Sequence, residues 1–237
     1  MGSRLTVLLP KSSASLPHFD MQINKYVFEL AGSNMYVAFS GKKALVIDPN
    51  VSEEALAELR RQQIDEITVL LTHEHYDHTS GLVWLCEQFR STVICHEQTA
   101  CALRLGRNNR PIIIASNRMQ DLSPDAVKAM IETLPQGYRY EADVTFSKEY
   151  TFDWEGHRIR MVAMPGHSKG GCCIEIDHDT VLTGDLLIWN TPVITRFPGG
   201  SEELYQALTL PYLESLPDSV TVLPGHGRQF LMSEYRK

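Results

Sequence analysis

The residues of this chain that could do chemistry are concentrated where predicted strands end. Five of its nine histidines occupy such positions: His73, His75, His78, His167 and His226. In an extended segment alternate side chains point the same way, so His73 and His75 can bind one ion, while Asp77 and His78 face a second ion nearby. Imidazole and carboxylate ligands together suit zinc, iron or manganese.

An explanation of this cluster without a metal is weak. Three histidines and one aspartate lie within the six residues 73–78. Packed together without a cation, these groups would lose several kcal/mol to desolvation and repulsion. The remaining histidines are isolated in the sequence, and we expect ordinary hydrogen-bonded roles for them. The sequence therefore predicts a metal centre.

Four motifs together resemble those of the metallo-β-lactamase superfamily. The HxHxDH signature is present at residues 73–78, and three further motifs follow in the family's order: Pro165-Gly166-His167-Ser168, Thr183-Gly184-Asp185 and Pro224-Gly225-His226-Gly227. The resemblance is collinear from about residue 24 to residue 228. It implies an α/β (α+β) fold, an αβ/βα four-layer sandwich of two mixed β-sheets flanked by helices, with a two-metal site at one edge.

The same resemblance implies a role for each motif residue. The first metal ion would be held by His73, His75 and His167, the second by Asp77, His78 and His226, and Asp185 would bridge the two ions. Zinc is the favoured metal, with iron or manganese as alternatives. The glycines beside His167, Asp185 and His226 are expected in tight turns with unusual backbone angles.

The chemistry expected of such a site is hydrolysis. Two divalent ions, two carboxylates and a bridging hydroxide leave a centre with a net charge of about +1, whose ions lower the pKa of bound water toward about 7. The expected function is a dinuclear metal-dependent hydrolase of a small ester, thioester or lactone, acting through the metal-bridging hydroxide. Asp77 and Asp185 are the candidate catalytic residues, and either Asp77 or a metal-bound water would protonate the leaving group.

The branch of the superfamily is narrowed by departures from family patterns. The segment Arg196-Phe197-Pro198-Gly199-Gly200-Ser201 resembles the hydroxyacylglutathione hydrolase (glyoxalase II) branch. That branch has a C-terminal helical extension, whereas 11 residues follow His226 here. Quorum-signal lactonases have a tyrosine where this chain has Ile188. A mononuclear iron enzyme similar to the persulfide dioxygenases, or a phosphodiesterase, remains as an alternative.

The elements that must position these residues are short strands and helices in alternation. We predict one domain over residues 1–237, in which residues 104–140 form a less regular, substrate-facing insertion. Strands are predicted at residues 25–30, 34–39, 44–47, 67–71, 92–95, 144–146, 150–152, 157–163, 172–176, 180–183 and 220–223. Helices are predicted at residues 52–62, 80–89, 123–134 and 201–216.

Substrate recognition is expected to come from arginines and aromatic residues. Between residues 98 and 120 the chain carries Arg104, Arg107, Arg110 and Arg118 and no acidic residue. These arginines could clamp an anionic small-molecule substrate, or they could be a solvated helix end with favourable dipole placement. Trp189 and Arg196 are further candidates for contact with substrate, although core packing is the commoner role for an aromatic residue.

The composition excludes several other classes of function. With 22 basic and 29 acidic residues, the formal charge of −7 argues against nucleic-acid binding. No apolar run is long enough for a membrane-spanning helix. The five cysteines form no CxxC pair, so reduced thiols and a cytoplasmic location are expected. The oligomeric state is left open.

Overall fold

The computed structural model describes residues 6–7, 21–106, 109–111 and 123–236. The strands in these ranges are β1 (Thr6–Val7), β2 (Ile23–Phe28), β3 (Ser33–Ser40), β4 (Lys43–Ile47), β5 (Glu66–Leu70), β6 (Arg90–His96), β7 (Val144–Phe146), β8 (Glu149–Trp154), β9 (His157–Ala163), β10 (Cys172–Ile176), β11 (Thr180–Gly184), β12 (Thr221–Pro224) and β13 (Phe230–Leu231). The helices are α1 (Glu53–Arg61), α2 (Tyr76–Thr79), α3 (Leu82–Cys86), α4 (Glu97–Leu103), α5 (Pro124–Glu132), α6 (Glu202–Leu204), α7 (Leu210–Ser215) and α8 (Met232–Tyr235), with a π-helical stretch at Tyr205–Thr209 between α6 and α7.

The strands form two mixed sheets. The first has the order β1-β2-β3-β4-β5-β6-β7, with antiparallel pairing up to β4 and parallel pairing beyond it. The second has the order β13-β12-β11-β10-β9-β8, in which β11 and β12 are parallel and the other neighbours antiparallel.

Alternating side chains along the strands create the layers. Leu45 in β4 points into a core shared with Ile174 of the second sheet. Its neighbour Val46 packs on the opposite face with Leu59 of α1, and Cys173 in β10 faces the helices that cover the second sheet. Because each central strand is apolar on both faces, the sheets must be covered on both sides. The predicted four-layer sandwich of two mixed sheets flanked by helices is confirmed.

The helix predicted at residues 201–216 is α6, a π-helical stretch and α7 in the structure, and the helix predicted at residues 80–89 also differs. The apolar spacing after the first histidine motif predicts a helix at residues 80–89, but the chain forms α2 and then α3, with an interruption at Gly81. The Gly81 amide donates to the Pro49 carbonyl at 2.9 Å, and a Cβ atom on Gly81 would lie 2.3 Å from the Asn50 carbonyl carbon. This close backbone approach requires glycine and separates the two helices.

The carboxyl ends of four strands meet at one edge of the sandwich. Asp48 follows β4 and bonds to Thr72, which follows β5. Gly225, at the end of β12, donates its amide to the Gly184 carbonyl at the end of β11 at 2.7 Å, and the Cys172 amide donates to the Thr72 carbonyl at 2.8 Å, joining the two sheets. Among the helices of the described ranges, none has the length and hydropathy needed to cross a bilayer.

Candidate metal centre

The loops at this edge bring the predicted histidines and aspartates together. His73 and His75 lie in the irregular segment after β5, and His75 is the residue that caps α2. Asp77 and His78 lie within α2 itself, so the motif is not extended throughout as the spacing suggested. The other ligand candidates follow different strands: His167 lies between β9 and β10, Asp185 follows β11 and His226 follows β12.

Three imidazoles converge on one point. The Nδ1 atom of His75 lies 3.1 Å from Nε2 of His73 and 2.9 Å from Nε2 of His167. His73 and His167 are buried, and His75 is half-buried. Three nitrogen atoms in this arrangement form the face of a coordination site for a single ion.

A second set of ligand atoms converges beside the first. The Nε2 atom of His226 lies 3.3 Å from Oδ2 of Asp77, and the Nε2 atom of His78 lies 3.6 Å from the same oxygen. Asp185 stands between the two sets. Its Oδ1 is 3.3 Å from His78 Nε2, and its Oδ2 is 3.6 Å from His167 Nε2.

Hydrogen bonds behind the site fix the orientation of the imidazole rings. His78 donates from Nδ1 to Oδ2 of Asp48 at 2.9 Å, and His167 donates from Nδ1 to the Ile194 carbonyl at 2.7 Å. The Thr72 hydroxyl donates to Asp48 at 2.5 Å and accepts from His73 Nδ1 at 3.0 Å. With the Nδ1 protons used in this way, the lone pairs of all three Nε2 atoms point into the site.

The unpaired donor atoms of the site fit a bound cation. Nε2 of His78 and Oδ1 of Asp185 are buried and have no hydrogen-bond partner among the described residues. Buried acceptors that face one another need a cation between them. A Cβ atom on Gly225 would lie 2.3 Å from Oδ1 of Asp185 and 2.7 Å from Cε1 of His78, so glycine is the residue that leaves this space open.

The pKa shifts of the metal-free side chains reflect burial and mutual charge. Burial lowers the pKa of His73 well below its ordinary value, and burial also lowers the pKa of His167. Burial likewise opposes protonation of His226, but hydrogen bonds to Asp185 and Asp77 outweigh it and raise the pKa of His226 to about 9. In the metal-free protein, protons on the second set of ligands therefore compensate the two carboxylates.

The glycines beside the ligands play two different roles. Gly166, Gly184 and Gly227 have positive φ angles of 145°, 50° and 76°, as the sequence predicted. Gly184 is also crowded, because a Cβ atom there would lie 2.6 Å from the Thr72 hydroxyl oxygen. Gly225 is not among the glycines with positive φ; it is required for space rather than for its backbone angles.

The residues predicted to contact substrate lie in several places. Arg104 is exposed and pairs with Glu141 at 2.8 Å, Arg110 is exposed, and Arg107 and Arg118 lie outside the described residues. Trp189 packs on Phe230 with ring centres 5.3 Å apart.

Arg196 is connected to the metal centre through the neighbouring residue Phe197. Its guanidinium carbon is 6.0 Å from the centre of the Phe197 ring. That ring in turn contacts the imidazoles of His75 and His167, with ring centres 5.8 Å and 6.0 Å away.

Sequence reasoning missed the residues that support the ligands. Asp48 is not among the predicted site residues, although a carboxylate at the carboxyl end of a buried strand is a usable signal. The Ser168 hydroxyl donates to Glu74 Oε2 at 2.9 Å and links two ligand loops. That pairing had no signal in the sequence, because the two residues are 94 positions apart.

Known proteins resemble this chain in sequence and in fold. A profile described as "Metallo-beta-lactamase superfamily" matches residues 29–226. A probable metallo-hydrolase of Streptococcus pyogenes serotype M6 is 27% identical over 210 residues, covering 87% of this chain and 84% of that protein. A hydroxyacylglutathione hydrolase of Shewanella sp. is 24% identical over 187 residues, covering 79% of this chain and 58% of that protein. The crystal structure of the B3 metallo-β-lactamase BLEG-1 has the same fold, with a TM-score of 0.71 at 23% identity over 90% of this chain and 95% of that chain.

Proposed function

This chain belongs to the metallo-β-lactamase superfamily, and on that premise we propose that it is a hydrolase that binds two divalent metal ions and cleaves a small ester, thioester or lactone. The observation that carries the proposal is the position of Asp185. Its Oδ1 faces His78 of one ligand set at 3.3 Å, and its Oδ2 faces His167 of the other at 3.6 Å. A carboxylate placed in this way can bridge two ions.

We assign the ligands as two sets that share Asp185. His73, His75 and His167 hold the first ion, and Asp77, His78 and His226 hold the second. This donor set favours zinc, with iron or manganese as alternatives. When bound, the ions would lower the pKa of water toward about 7 and stabilise the negative charge that develops on an attacked carbonyl group.

Two aspartates assist hydrolysis: Asp77 carries a proton, and Asp48 orients the imidazole of His78. The Asp77 side chain is 16% exposed and directs Oδ2 toward His226. Its other oxygen, Oδ1, can take a proton from the attacking water and return it to the leaving group. Asp48 accepts the Nδ1 proton of His78 and so directs Nε2 of that imidazole toward the site.

Substrate selection follows from what lies beside the first ligand set. Phe197 is half-buried against His75 and His167 and forms an apolar wall there. Arg196 is exposed, and its guanidinium has no carboxylate partner among the described residues. This pair suits an acyl group that carries an anion at its far end. Arg104, by contrast, is already paired with Glu141.

The test is turnover by metal-loaded protein. Acyl thioesters, lactones and phosphodiesters are offered to protein reconstituted with zinc, iron or manganese, and the same panel is offered to Asp185→Asn. We expect metal-dependent hydrolysis of a thioester, ester or lactone, reduced about 100-fold or more by the substitution. Bound metal without turnover of any acyl substrate contradicts the proposal, and turnover of phosphodiesters alone replaces it with a phosphodiesterase.

A second candidate is an iron-dependent thiol oxygenase that uses one ion. The tight convergence of three imidazoles, with nitrogens 2.9 Å and 3.1 Å apart, supports it because these ligands suffice for a single ion. Oxygen consumption with persulfides by iron-loaded protein would establish it. Oxygen uptake that is absent with iron bound, together with hydrolysis of acyl substrates, eliminates it.

A further inference from the structure

The first two residues of β3 contact both α2, which carries Asp77 and His78, and the loop that carries His226. The Ser33 hydroxyl donates to the backbone carbonyl of Asp77 at 2.8 Å. The same residue forms an isolated antiparallel bridge with His226, and the Asn34 amide donates to the Gly225 carbonyl at 2.7 Å. Ser33 and Asn34 therefore connect α2 with the loop that carries His226.

The Asn34 side chain holds that loop on both sides of the histidine. It is 1% exposed, and its Nδ2 donates to the carbonyls of Pro224 at 2.8 Å and Gly227 at 3.1 Å. The Tyr36 hydroxyl donates to the same Pro224 carbonyl at 2.8 Å. Hydrogen bonds to the carbonyls on either side of the Gly225-His226 pair leave the loop little freedom to move relative to β3.

The first ligand set is supported elsewhere. The loop of His73 and His75 is joined to the loop of His167 through Glu74 and the Ser168 hydroxyl, 2.9 Å apart. In the described residues, none of the hydrogen bonds made by Ser33 or Asn34 reaches these loops. Ser33 and Asn34 thus support the second ligand set and not the first, whereas Asp48 and Asp185 contact both.

We propose that Asn34 and Ser33 are positioning residues for the second metal ion, and that they set the spacing between Asp77 and His226. The proposal rests on the dinuclear site of the proposed function. Its consequence is selective: loss of the Asn34 donor loosens the ligand set of Asp77, His78 and His226, while the three imidazoles of the first set keep their ion. A merely structural role would weaken both ions equally or neither.

The test of this proposal measures how many zinc ions each chain binds. Asn34→Asp keeps the size of the side chain but replaces the amide donor with an oxygen that faces two carbonyls. Asn109→Asp is the matched control, because Asn109 is fully buried and its Nδ2 donates to the carbonyls of Leu103 at 3.1 Å and Tyr138 at 2.7 Å. Zinc per chain is measured by elemental analysis after dialysis, and the affinity of each ion by calorimetric titration, with thermal unfolding as the check on folding.

We expect two zinc ions per chain in the wild-type protein and in Asn109→Asp, and one in Asn34→Asp, with affinity for the second ion reduced about 10- to 100-fold. Two tightly bound ions in Asn34→Asp, or equal weakening of both, overturns the proposal. Fewer than two ions in the wild-type protein overturns the dinuclear site itself.

If Asn34→Asp fails to fold, Ser33→Ala decides the matter. That substitution removes one hydroxyl and its bond to the Asp77 carbonyl. We expect it to weaken the second ion about fivefold and leave the first unchanged. Unchanged affinity for both ions in Ser33→Ala contradicts the proposal.

Discussion

The Oδ2 atom of Asp48 lies 2.9 Å from Nδ1 of His78. Asp48 follows β4 directly and has a positive φ of 53°. Asp48 is buried, and its carboxylate also accepts hydrogen bonds from the amide and the hydroxyl of Thr72. One carboxylate thus orients His78 directly and His73 through Thr72, which gives it control over a ligand of each proposed metal ion.

Asp48→Asn is expected to weaken metal binding without unfolding the protein. The asparagine side chain has one acceptor oxygen in place of two, so it accepts hydrogen bonds from His78 Nδ1 and from the amide and hydroxyl of Thr72 less well. The imidazole of His78 then loses its fixed tautomer. We expect metal affinity to fall about 10- to 100-fold, as measured by competition with a chelator. The control is Asp177→Asn, which removes an aspartate–histidine contact of 2.5 Å to His157 outside the site. Equal losses in both variants would show that the effect is general destabilisation.

Gly225→Ala is expected to close the second metal position. The new Cβ atom would meet Oδ1 of Asp185 at 2.3 Å and Cε1 of His78 at 2.7 Å, so one ligand must move away. We expect zinc content to fall to one ion per chain and hydrolytic activity to be lost. Gly227→Ala serves as the control, because that position has a φ of 76° but nothing within 4 Å of its Cβ. It should lose about 1–2 kcal/mol of stability and keep both ions; normal zinc content in Gly225→Ala would refute the steric argument.

Arg196→Ala is expected to raise KM for anionic substrates about tenfold, equivalent to about 1.4 kcal/mol of binding free energy. The guanidinium lies beside Phe197, which lines the first ligand set, and no carboxylate among the described residues neutralises it. Arg104→Ala is the matched control, because its guanidinium is paired with Glu141. Steady-state kinetics with a charged and an uncharged ester of similar size make the comparison. A similar rise in KM for both esters, or in both variants, would exclude Arg196 as the anion contact.

The stability of the metal-free protein is expected to fall as the pH rises from about 6.5 to about 9. The pKa of His226 is raised from 6.5 to about 9 in the folded state by Asp185 and Asp77. A histidine with a raised pKa contributes stability that is complete below its unfolded pKa and is lost as the pH passes its folded pKa. Denaturant unfolding of chelator-treated protein across this range measures the slope. His226→Gln should reduce it, and His78, whose pKa Asp185 and Asp77 also raise well above its ordinary value, accounts for the remainder. An unchanged slope in His226→Gln would assign the whole pH dependence to other groups.

The sequence by itself determined a layered α/β core and the candidate ligands, while the four-layer sandwich was implied by the resemblance of the four motifs to the superfamily. Strands that are apolar on both faces, such as β4, must be covered on both sides. The spacing of the four residues in the 73–78 motif indicates a metal, because packing these polar groups together without a cation is costly. Both signals are local, since they depend on residues a few positions apart.

Only the tertiary structure decided how the candidate ligands are held. Asp48 meets His78 across 30 positions, Ser33 meets Asp77 across 44, and Asn34 meets Gly227 across 193. Such contacts have no periodicity that a single sequence could reveal. Arg104, one of the anion-binding candidates that composition offered, likewise meets Glu141 across 37 positions. Burial and hydrogen bonding are properties of the packed chain, and they decide which charged side chains remain available to a ligand.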